Sequence, residues 1–188
     1  MIATRRIASM LIFNLGLALA ATPVRAQNAR AQSHRGFVTG ADEDRTQAPT
    51  MLFGASRNTV KVSADDTEGR LSMFEYEGAV RGGPPLHVHD DQDEIFYVRE
   101  GDYLFQLGDA LHRLTAGDTI FLPRGVPHAF SQLSAAGRLV FMFTPAGDME
   151  AFFRDQAAMG AGPPTPQAAQ ALFSQHGMRI VGPPLPVE

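Results

Sequence analysis

From Met51 onward the apolar residues fall in short runs of β character, each closed by a turn signal. The runs are Met51–Phe53, Thr59–Val62, Leu71–Tyr76, Leu86–His89, Ile95–Val98, Tyr103–Leu107, Leu111–Leu114, Thr119–Leu122, Ala129–Leu133 and Leu139–Phe143. Between them stand Asp65-Asp66, Gly82-Gly83-Pro84-Pro85, Glu100-Gly101-Asp102, Gly108-Asp109, Ala116-Gly117-Asp118 and Pro123-Arg124-Gly125. Many short strands at close, even spacing predict an all-β sandwich or barrel. A closed barrel or a double-sheet jelly roll protects the exposed edges of such strands.

Two helices are predicted after the last run. Asp148 is placed to cap Met149–Ala157, with Phe152 and Phe153 on its buried side. Thr165 is placed to cap a second helix, with Pro166 at its first position and Gly177 just past its end. Gly160-Ala161-Gly162-Pro163-Pro164 reads as the linker between them, and Gly182-Pro183-Pro184-Leu185-Pro186 as an irregular tail over the barrel surface. No internal repeat is present. The organisation expected is a secretory signal over residues 1–26, a loosely held polar arm over 27–50, the barrel over 51–146, and helices with a Pro/Gly-rich tail over 147–188.

The expected signal has three parts. Arg5 and Arg6 open it, an apolar run from Met10 to Ala21 follows, and small residues precede a cleavage after Ala26. The run is too short to span roughly 30 Å of hydrocarbon as a helix. Arg5-Arg6 after Thr4 hints at twin-arginine export, although Ala8 stands where that signal carries a bulky apolar residue. A periplasmic or secreted protein with no membrane partner after cleavage is expected. Loss of the three Arg in residues 1–26 would leave 13 basic and 20 acidic side chains, a net of −7. An acidic chain with no basic face argues against nucleic acid as a partner. The 188 residues contain no Cys, so thiol nucleophiles, disulfides, zinc ribbons and iron–sulfur centres are excluded together.

The chemistry concentrates in one constellation. His87-Val88-His89 heads a strand, and period-two alternation puts both imidazoles on one face. Glu94 heads the next strand, and His128 follows Pro123-Arg124-Gly125-Val126-Pro127. Three neutral imidazoles and one carboxylate suit a divalent first-row transition metal, with iron, manganese, nickel, cobalt and copper all compatible. Glycines and prolines stand at matching offsets: Gly101 after Glu94, then Gly117, Pro123 and Gly125 ahead of His128.

These residues resemble the two motifs of the cupin family. His87, His89, Glu94 and Gly101 match the first motif, and Gly117, Pro123, Gly125 and His128 match the second. Arg81 stands where the first motif opens with Gly, and Gln132 where the second closes with Asn. The resemblance covers about Leu71 to Phe143. It implies a single-domain cupin jelly-roll β-barrel with short C-terminal helices, metal ligation by His87, His89, Glu94 and His128, and a homodimer. The wording Gly83-Pro84-Pro85-Leu86-His87-Val88-His89, Asp93–Val98, Pro123–Phe130 and Thr144-Pro145-Ala146-Gly147 is similar to that of small bacterial quercetinase-like cupins. That resemblance implies a metal-dependent dioxygenase, a flavonol or other aromatic enol as substrate, O2 as co-substrate, and carbon monoxide as a product. A non-oxygenase metal cupin (isomerase, decarboxylase or lyase) and a non-catalytic small-molecule binder are the alternatives.

Glu94 can either ligate the ion or leave it to act as general base. If Glu94 points inward, parity sends Phe96 and Val98 inward with it, and His128 brings Phe130. These three either line an aromatic substrate's pocket or form plain core. Asp90, Asp91 and Asp93 read as a solvated acidic loop, with Asp93 as an alternative ligand to Glu94. His112 reads as a surface or core strand residue, His176 as a helix-end cation, and His34 as part of the arm. No nucleophile elbow surrounds Ser131 or Ser134, which disfavours a serine hydrolase.

Overall fold

A computed structural model describes residues 36–187. The signal expected over 1–26, the first part of the arm and His34 lie outside the described residues. Among the described residues eleven strands form: β1 (Thr50–Leu52), β2 (Ser56–Val62), β3 (Ser72–Gly78), β4 (Pro85–His89), β5 (Asp93–Glu100), β6 (Tyr103–Leu107), β7 (Ala110–Leu114), β8 (Thr119–Leu122), β9 (His128–Gln132), β10 (Gly137–Thr144) and β11 (Met178–Pro184). Helices α1 (Met149–Ala158) and α2 (Pro166–Gln175) separate the last two strands. All pairings are antiparallel, in a six-stranded sheet ordered β1-β2-β3-β10-β5-β8 and a five-stranded sheet ordered β11-β4-β9-β6-β7. The protein is thus an all-β double-sheet jelly roll with two short helices, as its alternation predicts.

The alternation works strand by strand. In β10, Leu139, Phe141 and Phe143 are buried, and the residues between them are half-exposed. In β5, Glu94, Phe96 and Val98 are buried, and Ile95, Tyr97 and Arg99 face out. Stacked and edge-on rings fill the space between the sheets: Phe74 on Phe141 at 5.2 Å, Phe96 on Phe141 at 5.3 Å, and Phe96 edge-on to Phe105 at 5.2 Å. Such pairs add to simple area burial.

Two segments depart from expectation. The tail read as irregular is β11, which pairs with β4 through Met178↔His89, Arg179↔Val88 and Ile180↔His87. It reaches Pro184↔Pro85 after a register shift. Its prolines are tolerated because β11 is an edge strand, where a missing N–H interrupts no ladder on the free side. The polar stretch before β1 is tied down from Thr39 onward. Lys61 Nζ donates to the carbonyls of Gly40, Ala41 and Glu43 at 3.1, 2.7 and 2.9 Å, and Arg45 forms a fork with Asp66 at 2.9 and 2.7 Å. Polarity there reflects specific partners rather than looseness.

The helices are anchored by their ends. Thr165 caps α2 as read from the sequence, accepting from Ala168 N at 3.2 Å. Asp148 occupies the cap position of α1 but makes no capping bond. Its carboxylate instead meets His176 Nδ1 at 2.7 Å, while Asp155 meets His176 Nε2 at 3.1 Å. The buried His176 ring therefore links the N-terminal end of α1 to Asp155 two turns on, and joins both to the end of α2. Among the described residues no helix is long and apolar enough to cross a membrane.

Candidate metal centre

His87 and His89 project from β4 on one face, as a period of two requires. His128 begins β9 beside them, with its Cα paired to that of His87. Pro123-Arg124-Gly125 makes the reversal that delivers it. Gly125 takes φ +76°, a left-handed conformation that an L side chain resists, and its N–H donates to the His89 carbonyl at 2.8 Å. Glu94 arrives from β5 in the opposite sheet. One ligand atom from each of His87, His89, Glu94 and His128 lies within 4.8 Å of the others, and all four residues are buried.

The outer ring nitrogens fix the orientation of the inner ones. His87 Nδ1 donates to the Pro85 carbonyl at 2.8 Å, and His128 Nδ1 to the Val126 carbonyl at 2.9 Å. A carbonyl oxygen only accepts, so the proton sits on Nδ1 and the Nε2 lone pair is free. His89 Nδ1 meets Gln92 Oε1 at 3.4 Å in the same sense. His128 Nε2 is buried without a hydrogen-bond partner among the described residues. Glu94 Oε2 stands 3.2 Å from His128 Nε2 and 3.7 Å from His89 Nε2.

Electrostatics favour neutral rings. Burial pushes His87 well below the ordinary imidazole value, and the neighbouring His128 and His89 push it further. Burial also lowers His89, with Glu94 opposing. A neutral imidazole is the ligand form, so these rings are ready to bind a cation without first losing a proton. Donor set, free Nε2 atoms and burial all fit a divalent transition ion.

The other expectations sort clearly. Asp93, the alternative ligand, turns away from the centre: its carboxylate accepts from Arg124 N, Nε and Nη2 at 2.9, 3.0 and 2.8 Å. The Arg124 fork holds it down at about 2. Asp93 and Arg124 thereby clamp the head of β5 to the turn that delivers His128. Asp90 pairs with Arg179 of β11 at 3.0 Å. His112 is exposed on β7. Gln92, which fixes His89, carried no motif signal; only its place between two ligand-bearing strands marks it.

The four residues of the candidate centre open onto a cavity whose other walls are largely aromatic. Phe96 and Phe130 line it. Val98 is fully buried and is not among the residues lining the cavity. Alternation fixes the face of a residue, not its depth along the barrel. Sequence reading missed the cover: Met149, Phe152, Phe153 and Gln156 of α1, Phe173 of α2 and Met178 of β11 close one side.

Comparison with known proteins agrees with this geometry. The chain is 32% identical over 89 residues to quercetin 2,3-dioxygenase of Bacillus subtilis, covering 47% of this chain and 26% of that one. It is 33% identical over 82 residues to protein SchB of Streptomyces halstedii, covering 42% and 59%. The chain thus spans about a quarter of the first relative and under two thirds of the second. Among solved structures, KdgF from a Halomonas species superposes with a TM-score of 0.53 at 17% identity, over 62% of this chain and 99% of that one. A predicted oxalate decarboxylase from Thermotoga maritima gives 0.51 at 14% identity, over 58% and 98%. These two likenesses concern the fold. Residues 74–144 match the cupin domain family. That matched segment carries both motifs on the two-sheet jelly roll.

Proposed function

We propose that this cupin is a metal-dependent dioxygenase of the quercetin 2,3-dioxygenase kind, opening a flavonol or another aromatic enol with O2. One observation carries the reading: three imidazole Nε2 atoms and a carboxylate converge on a buried cavity whose remaining walls are mostly aromatic and aliphatic. Such a cavity suits a flat ring compound that presents one oxygen to a polar corner. The similarity to the Bacillus subtilis enzyme over 89 residues supports the same reading.

His87, His89, His128 and Glu94 would hold the ion. A divalent iron, manganese, nickel, cobalt or copper ion held there would lower the pKa of an enol oxygen and favour its anion. Glu94 lines the same cavity and is the only carboxylate in the cluster, so it is the group to take the enol proton as general base. Phe96 and Phe130 pack against each other at 5.7 Å and would offer ring faces to an aromatic substrate. The helical cover would limit the access of bulk water, which strengthens charge interactions inside. We place the protein in the periplasm or outside the cell, on the strength of Arg5-Arg6, the apolar run and Ala26; fractionation of cells carrying the full chain, or the chain without residues 1–26, tests this.

The reaction is tested by loading the full chain with each ion in turn and adding quercetin. Oxygen uptake matched by carbon monoxide release, both abolished under nitrogen, is expected. Quercetin consumption that continues under nitrogen would assign the site to isomerase, decarboxylase or lyase chemistry. No consumption with any of the five ions would overturn the oxygenase reading.

A further inference from the structure

Helix α1 turns one face toward the cavity. Met149, Phe152, Phe153 and Gln156 stand at i, i+3, i+4 and i+7, all four are buried, and all four line the cavity. The pattern is that of an amphipathic helix, and it asks for a fourth apolar residue. An amide occupies the position instead. Gln156 is 7% exposed, and its Oε1 is buried with no hydrogen-bond partner among the described residues. A buried amide oxygen left unpaired is costly, whereas leucine would fill the place at no such cost.

The cavity's other polar side chains are spoken for. Three imidazoles and Glu94 form the candidate centre, and the Tyr76 hydroxyl bonds to Ser56 Oγ at 3.1 Å. Gln156 is therefore the polar lining residue that lies outside the centre and is unpartnered. Its position is also fixed. His176 bonds to Asp148 and Asp155 at 2.7 and 3.1 Å, pinning α1 along one edge of the lining face over two turns, and Phe152 rests edge-on to the His176 ring at 5.7 Å. A pinned helix that sets one unpaired amide in the wall of an aromatic cavity is suited to meet a hydrogen-bonding substituent on the occupant.

We infer that Gln156 is the specificity-determining residue of this cavity, selecting aromatic ligands that carry a hydroxyl remote from the oxygen held at the four-residue centre. The remote hydroxyl donates to Gln156 Oε1. This rests on the aromatic-enol reading above and narrows it from enols in general to polyhydroxylated ones.

Quercetin and 3-hydroxyflavone present the same enol-carbonyl edge to the centre, but only quercetin carries hydroxyls elsewhere on its rings. Binding of both to the metal-loaded full chain is measured under nitrogen by absorbance titration, for wild type and Gln156→Leu. Metal content and melting temperature are measured on the same samples. The expectation is that Gln156→Leu keeps its metal, melts at or above the wild-type temperature, and loses roughly five- to tenfold in quercetin affinity, while 3-hydroxyflavone affinity stays within about twofold. Equal losses for both flavonols, or loss of metal, would make the residue merely structural and overturn the inference. Unchanged quercetin affinity would overturn it while leaving the aromatic-enol reading standing. If the wild type binds neither flavonol, the aromatic-enol reading falls and takes this inference with it.

Discussion

Gly83→Ala tests whether the approach of β4 to β9 builds the centre. A Cβ at Gly83 would lie 2.0 Å from the Phe130 carbonyl oxygen and 2.9 Å from its carbon. Real Cβ atoms essentially never come within 3.0 Å, and the obstacle is backbone, so no rotamer relieves it; the strands must part by about 1 Å. One residue away, Gly82 and Gln132 exchange two backbone hydrogen bonds of 3.0 and 2.9 Å. Losing both costs about 2 kcal/mol, and overpacking alone costs about 1–3 kcal/mol. Because the two overlap, about 3 kcal/mol is expected, or roughly 6–12 °C of melting temperature in a domain of this size. The same separation moves His128, whose Cα pairs with that of His87, so metal affinity should fall about tenfold or more. The assay is thermal unfolding followed by circular dichroism in EDTA, then cobalt titration of the stripped protein by visible absorbance. Gly36→Ala is the control, since nothing lies within 4 Å of a Cβ there. If Gly83→Ala matches that control within about 0.5 kcal/mol and binds cobalt equally well, the close-approach reasoning is wrong.

Three other outcomes follow from named groups. Glu94→Gln should abolish quercetin turnover while elemental analysis still finds most of the metal, because three imidazoles remain; full activity would refute the base role. His128→Ala should lose the ion, and with it the added stability of about 2.7 kcal/mol expected for wild type at a metal concentration 100 times its dissociation constant; scanning calorimetry with and without metal reads both. Asp44 is lowered overall: burial pushes it up, but bonds from Thr46, Val60 and Ala48 outweigh that. A folded value below the unfolded one means stability present above the unfolded value of about 3.9 and lost as pH falls through the folded value. Asp44→Asn should therefore flatten the acid side of a melting-temperature profile below about pH 4; an unchanged slope there would remove Asp44 from the account.

How much was legible depended on whether the signal was local. The ten runs from Met51 to Phe143 became β1 to β10 because alternation and turn chemistry act within a few residues. His87, His89, Glu94 and His128 were legible for the same reason: Glu94 and His128 stand at the heads of β5 and β9, and His87 and His89 at the end of β4, each close to a turn. Long-range partners left no trace. Asp148 has the chemistry of a cap, yet its carboxylate goes to His176, 28 residues away. Gln92 looks like any loop residue until His89 is seen beside it. The Pro-rich tail breaks every local rule for a strand, and only a free edge at β4 makes it one.

The centre itself divides along the same line. His87 and His128 each donate to the carbonyl two residues upstream on their own chain, at Pro85 and Val126, and a proline adjoins both turns. Their rings are thus oriented by strand geometry alone, before the sheets meet. Glu94 stands on the other sheet, and its approach depends on how the two sheets pack and on the Asp93–Arg124 clamp beside it. Imidazole donors are therefore preorganised locally, while the carboxylate is delivered by tertiary structure. A shift of one sheet against the other moves Glu94 relative to the three rings and leaves the rings' mutual geometry intact. Substitutions that loosen the sheet interface should for that reason impair proton transfer sooner than they strip the ion.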